Sequence, residues 1–147
     1  MHRAYTGVMS TLERAIAIAA EAHAGQKNKD GDPYILHPVR VMMRQDGLDA
    51  RMAGILHDVV EDSPWTIEQL RAEGFSEEVL AAVDSMTHRD DEDYFDYVKR
   101  AGANPISRRV KLADLEDNMN IMRLAEVRDK DLERMRKYHK AWTMLKS

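Results

Sequence analysis

Apolar residues recur along this chain at spacings of three and four, and nowhere alternate with polar ones for the length of a strand. That pattern predicts helices throughout and no sheet. Ala15, Ile16, Ala19, Ala20 and Ala24 form the apolar face of a first helix, which Ser10 and Glu13 open as a capping box and which runs to about His23. A polar loop over 25–36 follows. Pro38 suits the first turn of a second helix, ended by Gly47. Asp49 is placed to cap a third, which Ser63-Pro64 breaks. Thr66 with Gln69 caps a short fourth, closed by Gly74, and Ser76 opens a fifth running to about Thr87. A sixth is expected over 90–101, ending at Gly102. Asn104-Pro105 signals the cap and first turn of a seventh, running to about Arg123, and a last helix covers about 130–146. The expected fold class is an all-α helical bundle.

At 147 residues the chain is long enough for one domain with its own core. The reading is a single domain over 1–147, with its core at about 10–123 and the C-terminal helix packed on it. With 44% hydrophobic and 33% charged residues, the composition is that of a folded soluble protein, not a disordered one. A formal net charge of −4 argues against a general nucleic-acid or anionic-membrane surface. The longest apolar run near the N-terminus, 15–20, is too short to span a bilayer and is flanked by charge. No signal peptide is read, so a cytoplasmic location is expected. The ten methionines read as gap fillers between helices.

The absence of cysteine changes the chemistry available. Disulfides and thiolate metal sites are excluded, so any metal must be held by His, Asp or Glu. Against that background, His57-Asp58 followed by Glu61-Asp62 stands out, because the run is embedded in apolar residues from Met52 to Val60. On one helix, His57 and Glu61 are a turn apart, as are Asp58 and Asp62. Buried carboxylates need a compensating cation, and a divalent metal is the simplest one. His37, before Pro38, and Asp114, inside Val110-Lys111-Leu112-Ala113-Asp114, are the other candidate ligands. Two imidazoles and two carboxylates make a mixed N/O site suited to Mn²⁺, Fe²⁺, Zn²⁺ or Mg²⁺. Taken singly, each has a plain structural reading: a loop histidine, a partner for Lys111, a solvated helix end. Lys27, Lys29, Lys111, Arg108 and Arg109 are candidate cations for an anionic substrate. His23, His88 and His139 remain, and the last two read as a surface residue and a structural one.

Four motifs then fall in one order: Ala22-His23-Ala24-Gly25-Gln26; Gly31-Asp32-Pro33-Tyr34-Ile35-Leu36-His37-Pro38; Leu56-His57-Asp58-Val59-Val60-Glu61-Asp62; and Lys111-Leu112-Ala113-Asp114 with Asn118-Met119. In these the chain resembles the HD-domain phosphohydrolases, and among them the hydrolase domain of the Rel/SpoT alarmone enzymes and their stand-alone small relatives. The resemblance implies an HD-domain bundle. It implies one divalent ion, usually manganese, on His37, His57, Asp58 and Asp114, with Glu61 and Asp62 as the catalytic acidic pair. It implies removal of the 3′-pyrophosphate from guanosine tetra- or pentaphosphate, giving pyrophosphate and GDP or GTP. Lys29 matches a basic residue near the nucleotide, Asn118 one near the ribose or base, and His23 a residue behind the ligands.

Two departures qualify this. Asn28 stands where those relatives usually carry an arginine stacked on guanine, and an amide lacks that cation–π surface. Leu115-Glu116-Asp117-Asn118 stands where they commonly have Arg-Leu-His-Asn, and its two acids are expected to discourage further phosphates. With no length for a synthetase domain, a stand-alone hydrolase is expected. The expected partner is a small-molecule nucleotide, with no nucleic acid and no membrane; Asn28, Lys29, Lys111 and Asn118 are the expected substrate contacts. The alternatives are a phosphatase for another nucleotide, such as NADPH, and a non-catalytic nucleotide-binding protein of the same fold.

Overall fold

Short polar side chains decide where most helices begin. In the computed structural model, which describes residues 9–147, Thr11 caps α1 (Leu12–Ala22) by accepting from the Arg14 amide at 3.0 Å. Ser10, expected there, instead donates its backbone N–H to Gly74 O at 3.0 Å, which moves the cap by one residue. The loop after α1 is ordered by its own hydrogen bonds: Asn28 N to Asp32 O at 2.8 Å and Tyr34 N to Gln26 O at 2.9 Å. Helix α2 (Leu36–Met43) has Pro38 in its first turn as expected, but ends four residues before Gly47. Gly47, at φ 87°, starts α3 (Leu48–Leu56) instead; that left-handed backbone suits glycine, so Asp49 falls inside the first turn and is not the cap.

Helix α3 does not run on through the His-Asp pair. It stops at Leu56, and α4 (Val59–Asp62) begins after the break. The His57 ring supplies a physical reason, because its Nδ1–H donates to Gly54 O at 2.7 Å and takes the carbonyl that a continuing helix would use for residue 58. Thr66 and Gln69 form the expected reciprocal capping box on α5 (Ile67–Ala72), and Ser76 caps α6 (Glu77–Ser85). Helix α7 (Tyr94–Ala103) starts later than the pattern suggested, because Asp93 is the residue whose carboxylate accepts the first free amides. Asn104 caps α8 (Pro105–Asn118), which stops short of Arg123. There Asn120 accepts from Met122 N at 3.2 Å and opens a separate 3-10 turn, Ile121–Arg123. Helix α9 (Asp129–Lys146) closes the chain.

Helix α3 sits centrally, packed by α1, α2, α6 and α8. It contributes Ile55 and Leu56 to a core shared with Ile18, Leu70, Val79 and Val83, and Ala53 to a second core with Val41, Met86 and Val110. A third core joins Tyr97 and Val98 of α7 to Leu115 of α8 and Ala141 and Leu145 of α9. Gly54 lets α2 and α3 approach closely: a Cβ there would lie 3.1 Å from the Met42 Cα. The consequence is that the N-terminal turn of α2, the α3–α4 break and the last turns of α8 converge. The methionines divide: Met42 and Met86 are core, whereas Met9, Met43 and Met122 are exposed. Among the described residues no helix is long and apolar enough to cross a membrane.

Candidate metal centre

Where those three segments converge, His37, His57, Asp58 and Asp114 each present one ligand atom, and the four atoms lie within 4.8 Å of one another. His37 Nε2 is 2.8 Å from Asp114 Oδ1 and 3.9 Å from Asp58 Oδ2. His57 Nε2 is 3.0 Å from Asp58 Oδ2 and 3.3 Å from Asp114 Oδ1. Since His57 donates from Nδ1 to a carbonyl, its Nε2 is the atom left for the cluster. That nitrogen is buried and makes no well-directed hydrogen bond among the described residues. An orphaned imidazole nitrogen facing two carboxylate oxygens is the geometry a divalent cation satisfies, and the N₂O₂ donor set fits such an ion.

The electrostatics agree. Burial opposes charge on both His57 and Asp114. At His57 the Asp58 and Asp114 carboxylates overcome it and raise the imidazole's pKa well above its ordinary value. At Asp114, Lys111 and the two imidazoles hold the carboxyl well below the usual range. Burial likewise opposes ionisation of Asp58, but His57 draws its pKa down to about 2. The site therefore favours ionised carboxylates beside cations, and a bound metal would replace the protons on the imidazoles.

The candidate ligands are held from behind. Tyr34 donates its hydroxyl to Asp58 Oδ2. His23, buried at 2% exposure, packs its ring at a tilt against Tyr34, 5.0 Å between centroids, and donates from Nδ1 to Gln26 Oε1 at 2.8 Å. Lys111, expected either to contact phosphate or to support Asp114, has its ammonium buried 2.8 Å from Asp114 Oδ2, the supporting position. Asn118 donates to Asp114 Oδ1 at 3.1 Å. The two acids after Asp114 are also committed. Glu116 binds Arg44 at 2.6 Å and the Trp142 indole at 2.8 Å. Asp117 binds His37 Nδ1 at 2.6 Å and Arg40 at 2.8 Å and 3.1 Å. Both carboxylates are thus paired internally, which removes the basis for expecting them to repel a phosphate.

Glu61 and Asp62 lie on α4 at the mouth of the cluster and are exposed. Because the helix breaks at His57-Asp58, the one-turn spacing from His57 to Glu61 is not helical. Glu61 Oε1 is instead fixed by the His88 backbone N–H at 2.8 Å. That anchor was not legible in sequence, where His88 read as a surface residue; its ring Nε2–H donates to Glu92 O at 2.7 Å and packs 4.9 Å from Tyr97. Asp62, though its side chain reaches solvent, is pushed up to about 6 by lost hydration of its carboxylate and by the Asp58 and Glu61 carboxylates.

A pocket opens beside the cluster, lined by Asn28, Lys29, Asn118, Arg123, Arg134 and Tyr138, among others. Asn118 is shared by both, since its amide holds Asp114 while lining the pocket. Among the described residues Lys29 makes no ion pair, and burial followed by nearby Arg134 lowers its pKa. Arg134 and Tyr138 escaped the sequence reading; their i,i+4 spacing on α9 was the available signal, but nothing local says which face of α9 meets the loop. Arg108 and Arg109 point elsewhere. Arg108 binds the C-terminal carbonyls of Leu145 and Ser147, and Arg109 lines a separate groove with Asp49 and Ile106. His139 is exposed and stacks on Trp142 at 5.9 Å.

The fold and cluster define an all-α protein built round a His/Asp centre. The chain belongs to the family described as the HD domain, which matches residues 15–142. It is 37% identical over 131 residues to a GTP pyrophosphokinase of Streptomyces coelicolor, an alignment covering 80% of this chain and 15% of that protein. It is 48% identical over 77 residues to a guanosine-3′,5′-bis(diphosphate) 3′-pyrophosphohydrolase of Haemophilus influenzae, covering 50% of this chain and 11% of that protein. The chain thus spans a small part of the length of these curated relatives. Among solved structures, a metazoan ortholog of SpoT that hydrolyses ppGpp superposes with a TM-score of 0.74 at 21% identity, covering 91% of this chain and 84% of that one. That likeness shows the fold.

Proposed function

We propose that this chain is a metal-dependent phosphohydrolase that removes the 3′-pyrophosphate from (p)ppGpp or a closely related nucleotide, releasing GDP or GTP and pyrophosphate. The carrying observation is the buried N₂O₂ cluster beside a pocket that shares Asn118 with it and contains Lys29, which makes no ion pair among the described residues. His37, His57, Asp58 and Asp114 would hold the ion, with Mn²⁺ the first choice. Such an ion lowers the pKa of a water and polarises a phosphoryl oxygen.

The chain's own residues supply the rest. Glu61, fixed on the His88 amide, accepts a proton from the attacking water. The new bond forms at the phosphorus attached to O3′, and the P–O3′ bond breaks. Asp62, whose raised pKa lets it carry a proton near neutrality, positions the water or returns a proton to the departing O3′. Lys29 pairs with phosphate charge, and Asn28 and Asn118 meet the nucleoside. A nucleotide substrate sets the workplace in the cytoplasm.

The test is purified protein with Mn²⁺ against guanosine and adenosine 3′-pyrophosphates and NADPH, with products identified by chromatography. Release of pyrophosphate with GDP, abolished by EDTA, is expected. Phosphate release from NADPH alone, or nucleotide binding without turnover, would overturn the reading in favour of another phosphatase or a sensor.

A further inference from the structure

Asp117 touches the cluster without belonging to its four candidate ligands. Its Oδ2 lies 2.6 Å from His37 Nδ1. An ionised carboxylate only accepts, so Nδ1 donates a hydrogen to Asp117, and Nε2, 2.8 Å from Asp114 Oδ1, is the nitrogen on which a divalent ion would replace a proton. Asp117 is itself clamped. Arg40 grips both its oxygens, at 2.8 Å and 3.1 Å, and Arg123 Nη1 lies 3.4 Å from Oδ1. Arg123 also donates to the Asp117 backbone carbonyl at 2.8 Å, and its Nε lies 3.4 Å from Asp30 Oδ2 in the pocket wall. With its side chain 7% exposed, Asp117 cannot swing into solvent.

We propose that Asp117 is a positioning residue for His37: it sets the tautomer and ring orientation in which Nε2 receives a divalent ion, and Arg123 ties that arrangement to the nucleotide-facing loop at Asp30. The proposal rests on the metal-dependent reading above. A carboxylate behind a ligating imidazole makes the ligand more basic and removes the freedom of the ring to turn.

The test uses the full chain. Mn²⁺ affinity is measured by titration calorimetry, and the ligating imidazole nitrogens are identified by ¹⁵N NMR on the Zn²⁺-loaded protein. Zn²⁺ on His37 Nε2, with hydrogen on Nδ1, is expected; Zn²⁺ on Nδ1 would overturn the proposal. Asp117→Ala should weaken Mn²⁺ binding by about 10- to 100-fold. Asp117→Asn, whose amide oxygen still accepts from Nδ1, should lose less. Arg40→Met loosens the same clamp without touching the imidazole and should lose less than Asp117→Ala. Unchanged affinity in Asp117→Ala, or an equal loss in Arg40→Met, would reduce Asp117 to a general structural role. If Asp117→Ala does not fold, Asp117→Asn and the NMR assignment decide. A wild-type protein that takes up no divalent ion refutes the metal reading itself, whereas a wild type that binds with an unaffected Asp117→Ala refutes this proposal alone.

Discussion

Replacing Lys111 with methionine isolates the charge that holds Asp114 in place. The ammonium is 2.8 Å from Asp114 Oδ2, and the two side chains are 10% and 7% exposed. That burial decides the size of the effect. An exposed pair contributes about 0–1 kcal/mol. Removing one partner of a buried pair costs about 3–5 kcal/mol, because the survivor's charge loses its counterion, although at Asp114 the two imidazoles still offset part of it. Methionine is similar in length and flexible, so the cavity left behind is small. The variant also loses the contact of the ammonium with the Tyr97 ring, 4.9 Å away. At about 3–4 °C per kcal/mol for a chain of this size, the expected fall in Tm is roughly 10–20 °C in EDTA.

The same substitution makes a second, opposite prediction. A divalent ion at Asp58 and Asp114 supplies positive charge where the lysine was lost. Mn²⁺ should therefore raise the Tm of Lys111→Met by more than it raises that of the wild type. Thermal melts followed by circular dichroism, with EDTA and with Mn²⁺, read both effects. A variant that melts with the wild type in EDTA would refute the view that Lys111 is the counterion of Asp114. An equal metal-induced shift in the two proteins would place the ion away from Asp114.

Four further outcomes are expected. Asp58→Ala should lose bound metal in dialysed protein assayed by atomic spectroscopy, since it removes one of four donors; full occupancy would refute the assignment. Glu61→Gln should retain the ion and lose about two to four orders of magnitude in kcat, and retained activity would mean that another group accepts the proton. Asn28→Arg should raise the ratio of kcat/KM for guanosine over adenosine 3′-pyrophosphate, by restoring a planar cation over the base; an unchanged strong guanine preference would put base reading elsewhere in the pocket. Hydrogen bonds from Arg100 hold the Glu92 carboxyl down, from an ordinary 4.5 to about 2. Its stabilisation is therefore present above pH 4.5 and lost as pH falls toward 2, so Glu92→Gln should melt lower than the wild type at neutral pH, with the gap closing across that acid range.

What the sequence made legible and what it hid have separate physical causes. Caps at Thr66, Ser76 and Asn104 act within three residues, so the local order of residues specifies them. The donor types at 37, 57, 58 and 114 were legible because ionisable groups in apolar runs need a partner, whatever the fold. The break at His57-Asp58 was not, because it depends on an imidazole competing with the backbone for one carbonyl. Nor were Arg134 and Tyr138, whose relation to Lys29 exists only once α9 packs against the loop.

Glu116 and Asp117 carry the sharper lesson. In sequence they are two negative charges beside a ligand, and charge alone suggests repulsion of phosphate. In the fold, Arg40, Arg44, Trp142 and His37 bind the two carboxylates, and Arg123 pairs with that of Asp117. Every one of those partners except Arg123 is more than twenty residues away in the chain, so only the packing of α2 and α9 on α8 determines what these charges do. An acidic residue next to a metal ligand is thus ambiguous in sequence: it can face the substrate or support the ligand. Burial resolves the ambiguity, because a carboxylate withdrawn from water must find donors, and at Asp117 those donors include the far nitrogen of a candidate ligand.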